Sequence, residues 1–390
     1  MQDASLRFNQ ENPELGEMTV EETAQGWETK VLAQIKDKQM RWSASGYVEF
    51  GQKYNFIKNG MARPIDDFVK ESKFAWGKQQ KTMYLNKGVW DAIAFEGKQY
   101  YIPMKLNVHV VGYRSDWLNA AGYDTFPKTW DEVDQMIPKL KPVVEKEKAV
   151  AVGISTSNIF RTLGTSFTTV IDKAFDEEGM MKIESPEWIQ IIELYKKWKD
   201  MGMARLDGPE HFDVWQKGGF AFTLGSHSLV RLGRQVWGSA KVNGARPPQA
   251  TAAQAQSAPR TWIHVDSAML FNEGPHAQHA VDWMLSVFGP EGNPATRWWT
   301  GVVNFSGQPS TQVMVDKALK DNAGLKEVYD VMQLVPNSFI MTVAVSGTYA
   351  IIESKIWPHL HKFFNGEVKA KEAMAAATKD IRDELAKRKA

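Results

Sequence analysis

Apolar side chains at Trp27, Val31, Leu32 and Ile35 recur at helical spacing, which predicts an amphipathic helix running to about Met40. The same periodicity returns at Trp188, Ile191, Ile192, Tyr195 and Trp198, predicting a helix over Glu187–Lys199, and again over Ala277–Phe288. Shorter β-rich runs predict strands at Gly46–Phe50, Val108–Tyr113, Val150–Ile154, Phe220–Leu224 and Ile263–Phe271, with a further short one at Glu17–Glu22. Trp90–Pro103 reads as strand, Glu-Gly-Lys turn, strand. Lys53–Gly60 and Asp116–Gly122 read as short helices closed by glycine. Thr129 stands where an N-cap belongs, with Asp131 and Glu132 in the first turn behind it. Asn243–Arg260 is rich in Ala, Gln and Pro without a periodic face and is expected to be a surface connection. The last quarter reads as mostly helical, ending in Val368–Ala390. Short strands interleaved with helices predict an α/β fold.

Composition narrows the chemistry. The 390 residues suit two domains, and Lys+Arg 47 against Asp+Glu 46 gives no pull toward nucleic acid or an anionic membrane. With Cys at zero, disulfide frameworks, thiolate metal sites and cysteine nucleophiles are excluded. No apolar run approaches the ~20 residues that a bilayer helix needs. The fifteen Trp residues divide by setting. Trp188, Trp198 and Trp283 lie on apolar helix faces and belong to the core. Trp42, Trp262, Trp298 and Trp299 flank loops or strand ends, where an indole face can stack on a sugar ring, although core packing is the slightly favoured role for any single one of them.

Motifs for nucleotide chemistry are missing: no G-x-G-x-x-G follows a strand, and no P-loop occurs. His276/His279 and His359/His361 are close pairs, but neither carries the surrounding pattern of a metal site. Gly225-Ser226-His227-Ser228 does not meet the nucleophile-elbow pattern. Asp66/Asp67 and Asp131/Glu132 sit at turns and helix starts, where capping explains them. No cofactor and no metal are expected.

One stretch is more specific. Ile102-Pro103 leads to an apolar strand ending in Tyr113, then Asp116-Trp117-Leu118, Ala121-Gly122 and Pro127-Lys128-Thr129-Trp130-Asp131-Glu132. This resembles the family 1 extracellular solute-binding proteins, the maltose-binding-protein-like receptors of ABC sugar importers. Phe8–Pro13, Gly60–Asp67, Phe220–Thr223 and Trp357-Pro358 fall in the family's order, so the resemblance covers nearly the whole chain. Gly112 and Arg114 depart from the family's usual Tyr and Asn.

The resemblance implies a type II periplasmic-binding-protein-like fold: two α/β lobes with a hinged ligand cleft between them. Residues 1–107 and 262–303 would form the N-terminal lobe, and 108–261 and 304–390 the C-terminal lobe. The expected function is capture of a sugar or polyol for delivery to a membrane permease, by a monomer in the periplasm or outside the cell, without catalysis. The family also places a strand ahead of its first helix. We therefore expect that strand and a signal peptide to precede Met1, and direct pairing of Glu17–Glu22 with Gly46–Phe50 would contradict this.

Carried over by position, the ligand-binding candidates are Glu49, Gly51 and Gln52 after the first-lobe strand, and Asn107 at the opening of the crossing strand. Asn158, Phe160 and Arg161 follow the Val150–Ile154 strand. Ser226, His227 and Ser228 follow Phe220–Leu224, where the family often has a Trp, and Trp262 or His264 would replace that stacking surface. Tyr349 and Glu353 complete the set from the late helical segment. Local backbone bonding is the alternative role for each of the polar groups. Arg161 raises the option of a phosphorylated polyol. The competing class is a glycoside hydrolase, which needs two carboxylates roughly 5–9 Å apart across the ligand. Glu49 and Glu353 are the pair to test.

Overall fold

The computed structural model describes residues 2–22, 26–74, 86–208, 210–288 and 334–389. Trp298 and Trp299 lie outside these. In chain order the strands are β1 (Ala44–Val48), β2 (Ala94–Phe95), β3 (Lys98–Gln99), β4 (Tyr101–Arg114), β5 (Val150–Ser155), β6 (Ala204–Asp207), β7 (Phe220–Ser226), β8 (Val242–Ala245), β9 (Trp262–Leu270) and β10 (Phe339–Ile340). Two compact units contain them. The first comprises Met1–Asn107, His264–Lys326 and Ile340–Gly347; the second comprises Val108–Ile263, Glu327–Phe339 and Thr348–Ala390. Two of these boundaries fall inside β4 and β9, so the chain passes from unit to unit within strands.

In the first unit β1 runs antiparallel to β9, Ala44 opposite Leu270 and Ser45 opposite Met269, with an irregularity before Val48 meets Ser267. Such an irregularity re-aims side chains at the strand end. Helices Gln2–Glu11, Trp27–Lys36, Lys53–Lys58 and Ala277–Phe288 belong to this unit, and Val31, Phe56, Ile65, Met269 and Trp283 are in its core. Trp283 is buried with its Nε1 donating to Ser5 Oγ at 2.8 Å, the polar partner a buried indole needs.

Two expectations need correction here. Glu17–Glu22 is not a strand and does not pair with β1, and both segments instead line a cavity of about 1030 Å³ that Trp27 and Trp283 also border. Trp42 bridges to the first of them, its Nε1 donating to Glu21 Oε2 at 2.8 Å. Its run of Glu, Thr and Val has the composition of a strand, but it pairs with no strand among the described residues. Trp90 stands in a short helix, Gly88–Ala92, and not in a strand. The hairpin starts only at Ala94, where Glu96 and Gly97 both take positive φ to reverse the chain.

In the second unit β4 pairs antiparallel with β7 and β8, while β5 lies parallel to both β6 and β7. Parallel pairing requires crossovers, and helices Thr162–Val170 and Pro186–Asp200 lie between β5 and β6 in sequence. Ser185 caps the second of these through the Trp188 amide, with Pro186 at the first helical position. Thr129 and Glu132 form a full capping box at the start of Trp130–Lys146. Gly153 is compelled by packing: a Cβ there would come within 2.4 Å of the Phe220 ring. Trp188, Trp198 and Trp215 are fully buried, and their indole nitrogens reach Met374 Sδ, Asp134 Oδ1 and the Leu229 carbonyl. Asn243–Arg260 holds more order than a bare connection. It contains most of β8 and a helix, Ala252–Ser257, capped by Thr251. β8 takes its stability from the β4 ladder, which no periodicity of its own announces.

Candidate functional site

Each unit gathers its own group of polar side chains, the first along β4 and β9 and just after β1, the second in the loops after β5 and β7 and on the helix Val343–Phe364. In the first unit Glu49 follows β1 and is exposed, and Phe50–Gln52 make one 3-10 turn before the Lys53–Lys58 helix. Gly51 and Gln52 are half-buried, and the Gln52 amide donates to Glu28 Oε1 at 3.0 Å. Asn107 donates through Nδ2 to Asp266 Oδ2 at 2.6 Å, and Lys105 Nζ stands 3.1 Å from the same oxygen. The Tyr47 hydroxyl lies 3.4 Å from Glu49 Oε1 and 3.5 Å from Asp266 Oδ2, with Lys105 Nζ above its ring. Burial, then Asp266 and Glu49, push the Tyr47 phenol well up, so it stays a hydrogen-bond donor. His264 packs its ring against Phe50 at 6.1 Å. Beneath the group Lys53 is fully buried, donates to Ser267 Oγ and lies over the Tyr101 ring. Desolvation brings its amine down to about 7, against the opposing pull of Asp266.

Tyr47, Lys105 and Asp266 join this group without standing among the sequence candidates, although a signal for two of them exists. Lys105 and Asn107 alternate with the buried Leu106 and Val108, so period two sets both polar side chains on one face of β4. His264 and Asp266 repeat the pattern on β9.

In the second unit the loop after β5 carries Asn158, Phe160 and Arg161. Asn158 Oδ1 accepts the Phe160 amide at 3.0 Å, which is the local backbone role. Phe160 and Trp262 are 1% and 2% exposed, so neither offers a ring face to solvent. They are the inner layer of an aromatic stack. Phe160 lies against Tyr349 at 4.7 Å, Trp262 at 5.2 Å and Phe175 at 5.9 Å, with ring planes within 29° of parallel in each case. Trp262 donates to Thr165 Oγ1 at 3.0 Å and meets His109 edge-on. Tyr349, the outer ring of the stack, is half-buried.

Glu353 accepts the Ile159 amide on one carboxylate oxygen and the Trp357 indole on the other, both at 2.7 Å. Burial raises its pKa while these two bonds and Arg161 oppose the rise. Arg161 lies with its guanidinium 4.1 Å above the Phe212 ring, and burial lowers its pKa against the pull of Tyr349 and Glu353. Ser226 and Ser228 are half-buried and bond to each other through their hydroxyls, with buried His227 between them. Behind Arg161, His211 is buried and bonded to Thr223 Oγ1 at 2.9 Å. Desolvation, then Arg161 and Arg205, brings this imidazole down to about 3, so it is neutral at physiological pH.

Thus Asn158, Phe160, Arg161, Ser226, His227, Ser228, Trp262, Tyr349 and Glu353 belong to the second unit, and Glu49, Gly51, Gln52, Asn107 and His264 to the first. Among the described residues no cluster of three or more His, Asp or Glu could hold a metal ion.

Each unit thus carries a polar group, and β4 and β9 run from one unit into the other. The class of the protein comes from comparison with known proteins. The model of the bacterial extracellular solute-binding protein family matches residues 2–287, and the chain belongs to that family. Its fold is that of the two-lobed periplasmic binding proteins. The sugar-binding protein MalE of Xanthomonas citri superposes with a TM-score of 0.76 over 99% of this chain and 94% of its own, at 17% identity. UgpB of Mycobacterium tuberculosis, solved with glycerophosphocholine, gives 0.76 over 100% and 95%, at 15% identity. A Brucella abortus (strain 2308) protein designated only as a binding protein is 24% identical over 154 residues, which are 39% of this chain and 35% of the relative. The chain thus matches about a third of that relative's length.

Proposed function

We propose that this protein is the substrate-binding receptor of an ABC importer, which captures a sugar or polyol and hands it to a membrane permease from the periplasm or the cell exterior. The carrying observation is the division of the candidate residues: Glu49, Lys105 and Asn107 in one unit, Arg161, Ser226, Ser228 and Tyr349 in the other. Hydroxyl-rich ligands are recognised by such donors and acceptors, with apolar ring faces supplying buried area. In this reading ligand binding shifts a hinge equilibrium, and no bond is made or broken. Both Glu353 oxygens are already committed within their own unit, which disfavours this side chain as the general acid of a hydrolase.

A thermal-shift screen over sugars and polyols tests the reading. Ligand at a hundredfold excess over Kd stabilises the folded state by about 2.7 kcal/mol, enough to raise Tm by several degrees. A flat response across the whole panel would overturn the carbohydrate or polyol assignment.

A further inference from the structure

Two cations in the second unit have no acceptor among the described residues, and both belong to the surroundings of one turn. The turn joins β7 to the helix Ser228–Trp237. Arg161 flanks it, its Cγ 3.8 Å from where a Cβ on Gly225 would stand. Its guanidinium rests on Phe212 and donates no hydrogen bond to any described residue. The nearby carboxylate, Glu353, spends its oxygens on the Ile159 amide and the Trp357 indole. Arg231 stands three residues beyond Ser228, on the same face of the helix. Its Nε is buried without a partner, and it makes no ion pair among the described residues. The helix start has no side-chain cap. The hydroxyls of Ser226 and Ser228 bond to each other across the turn.

We propose that this turn is an anion subsite that receives the phosphate ester of the ligand. The inference rests on the reading of the chain as a solute-binding receptor. Two half-buried guanidinium groups without a carboxylate partner among the described residues suit an oxyanion, and arginine is the side chain whose planar fork fits one. Two guanidinium groups match the roughly −1.5 to −2 charge of a phosphate monoester better than the single charge of a carboxylate. The serine hydroxyls and the uncapped helix start supply neutral donors for the remaining phosphate oxygens. Tyr349, stacked on Phe160, is left to cover the carbon skeleton.

Titration calorimetry on the full chain would compare four probes: glucose, glucose 6-phosphate, glucuronate and inorganic phosphate. Glucose 6-phosphate should bind at least tenfold more tightly than glucose or glucuronate, and its affinity should fall as salt rises. Arg161→Gln and Arg231→Gln should each weaken glucose 6-phosphate and inorganic phosphate at least tenfold, and Arg231→Gln should leave any glucose affinity within twofold. Arg161→Lys, which keeps the charge and loses the fork, should recover part of the loss. Melting curves of each variant identify any that fails to fold, in which case the lysine variant and the salt series still decide. Equal affinity for glucose and glucose 6-phosphate, tighter binding of glucuronate, or phosphate affinity untouched in both glutamine variants would overturn the subsite and leave the receptor reading standing. Arginine-dependent binding of inorganic phosphate, with no affinity for any sugar or polyol, would keep the subsite and sink the receptor reading. Silence from all four probes would overturn the subsite.

Discussion

Lys53 shows how a single residue links the core to the candidate site. It is fully buried, its amine is brought down to about 7, and it lies beneath Asp266, Asn107 and Lys105. Between pH 7 and 10 the unfolded chain carries a proton on this amine that the folded chain has released. Stability from this group therefore climbs with pH by up to about 1.4 kcal/mol per unit, and below pH 7 it contributes no slope. Urea melts from pH 6 to 10 should show the rise in the parent, and Lys53→Met should flatten it and be the more stable protein at pH 7. A parent curve level across that range would refute the buried-amine account. The sequence alone places Lys53 at the start of a helix and says nothing of its burial, because that depends on β4 and β9 arriving from far along the chain. The place of Glu49 just after β1 was legible through the family's order of elements, whereas Asn107, expected to open the crossing strand, lies in the middle of β4. Lys105 and Asp266 were legible only to a count of alternating positions along strands. The aromatic character of Phe160 and Trp262 was legible, but their place as the hidden layers of a stack was not.

At the scale of elements, most helices and strands follow from local signals that agree with their tertiary setting. Ala277–Phe288 falls on its predicted bounds, and Trp130–Lys146 opens on the Thr129 cap that the sequence announces. The misreadings share a cause. β8 is a strand because β4 offers it a ladder, and Glu17–Glu22 is not one, with no strand among the described residues pairing with it. Neither fact is written in the segment itself. The close fit of β5 beside β7 gives a sharper test of the second unit. Gly153→Ala drives a methyl group into the Phe220 ring, and overpacking of this kind costs typically about 1–3 kcal/mol. Chemical denaturation should register that loss, and the double variant Gly153→Ala, Phe220→Leu should recover part of it. A neutral Gly153→Ala would mean that β5 and β7 do not pack as described.

The whole molecule was the most legible level in one respect and the least in another. Family order, read from Ile102-Pro103 through Trp130-Asp131-Glu132, led to a two-unit α/β receptor, and the family match over residues 2–287 bears it out. Ligand identity is not legible from the order of elements, because specificity in a shared fold rests on individual side chains. It is also why neighbours at 15–17% identity share this fold, whereas Gly112 and Arg114 depart from the family's usual residues. The central claim is that the protein binds a small hydroxylated solute and releases it unchanged. Titration calorimetry against sugars, polyols and their phosphate esters, followed by recovery of the bound compound, tests it most directly. The account predicts one-to-one binding with Kd in the micromolar range, about −8 kcal/mol, and quantitative recovery of intact ligand after prolonged incubation. Absence of binding across every class, or recovery of a cleaved product, would contradict it.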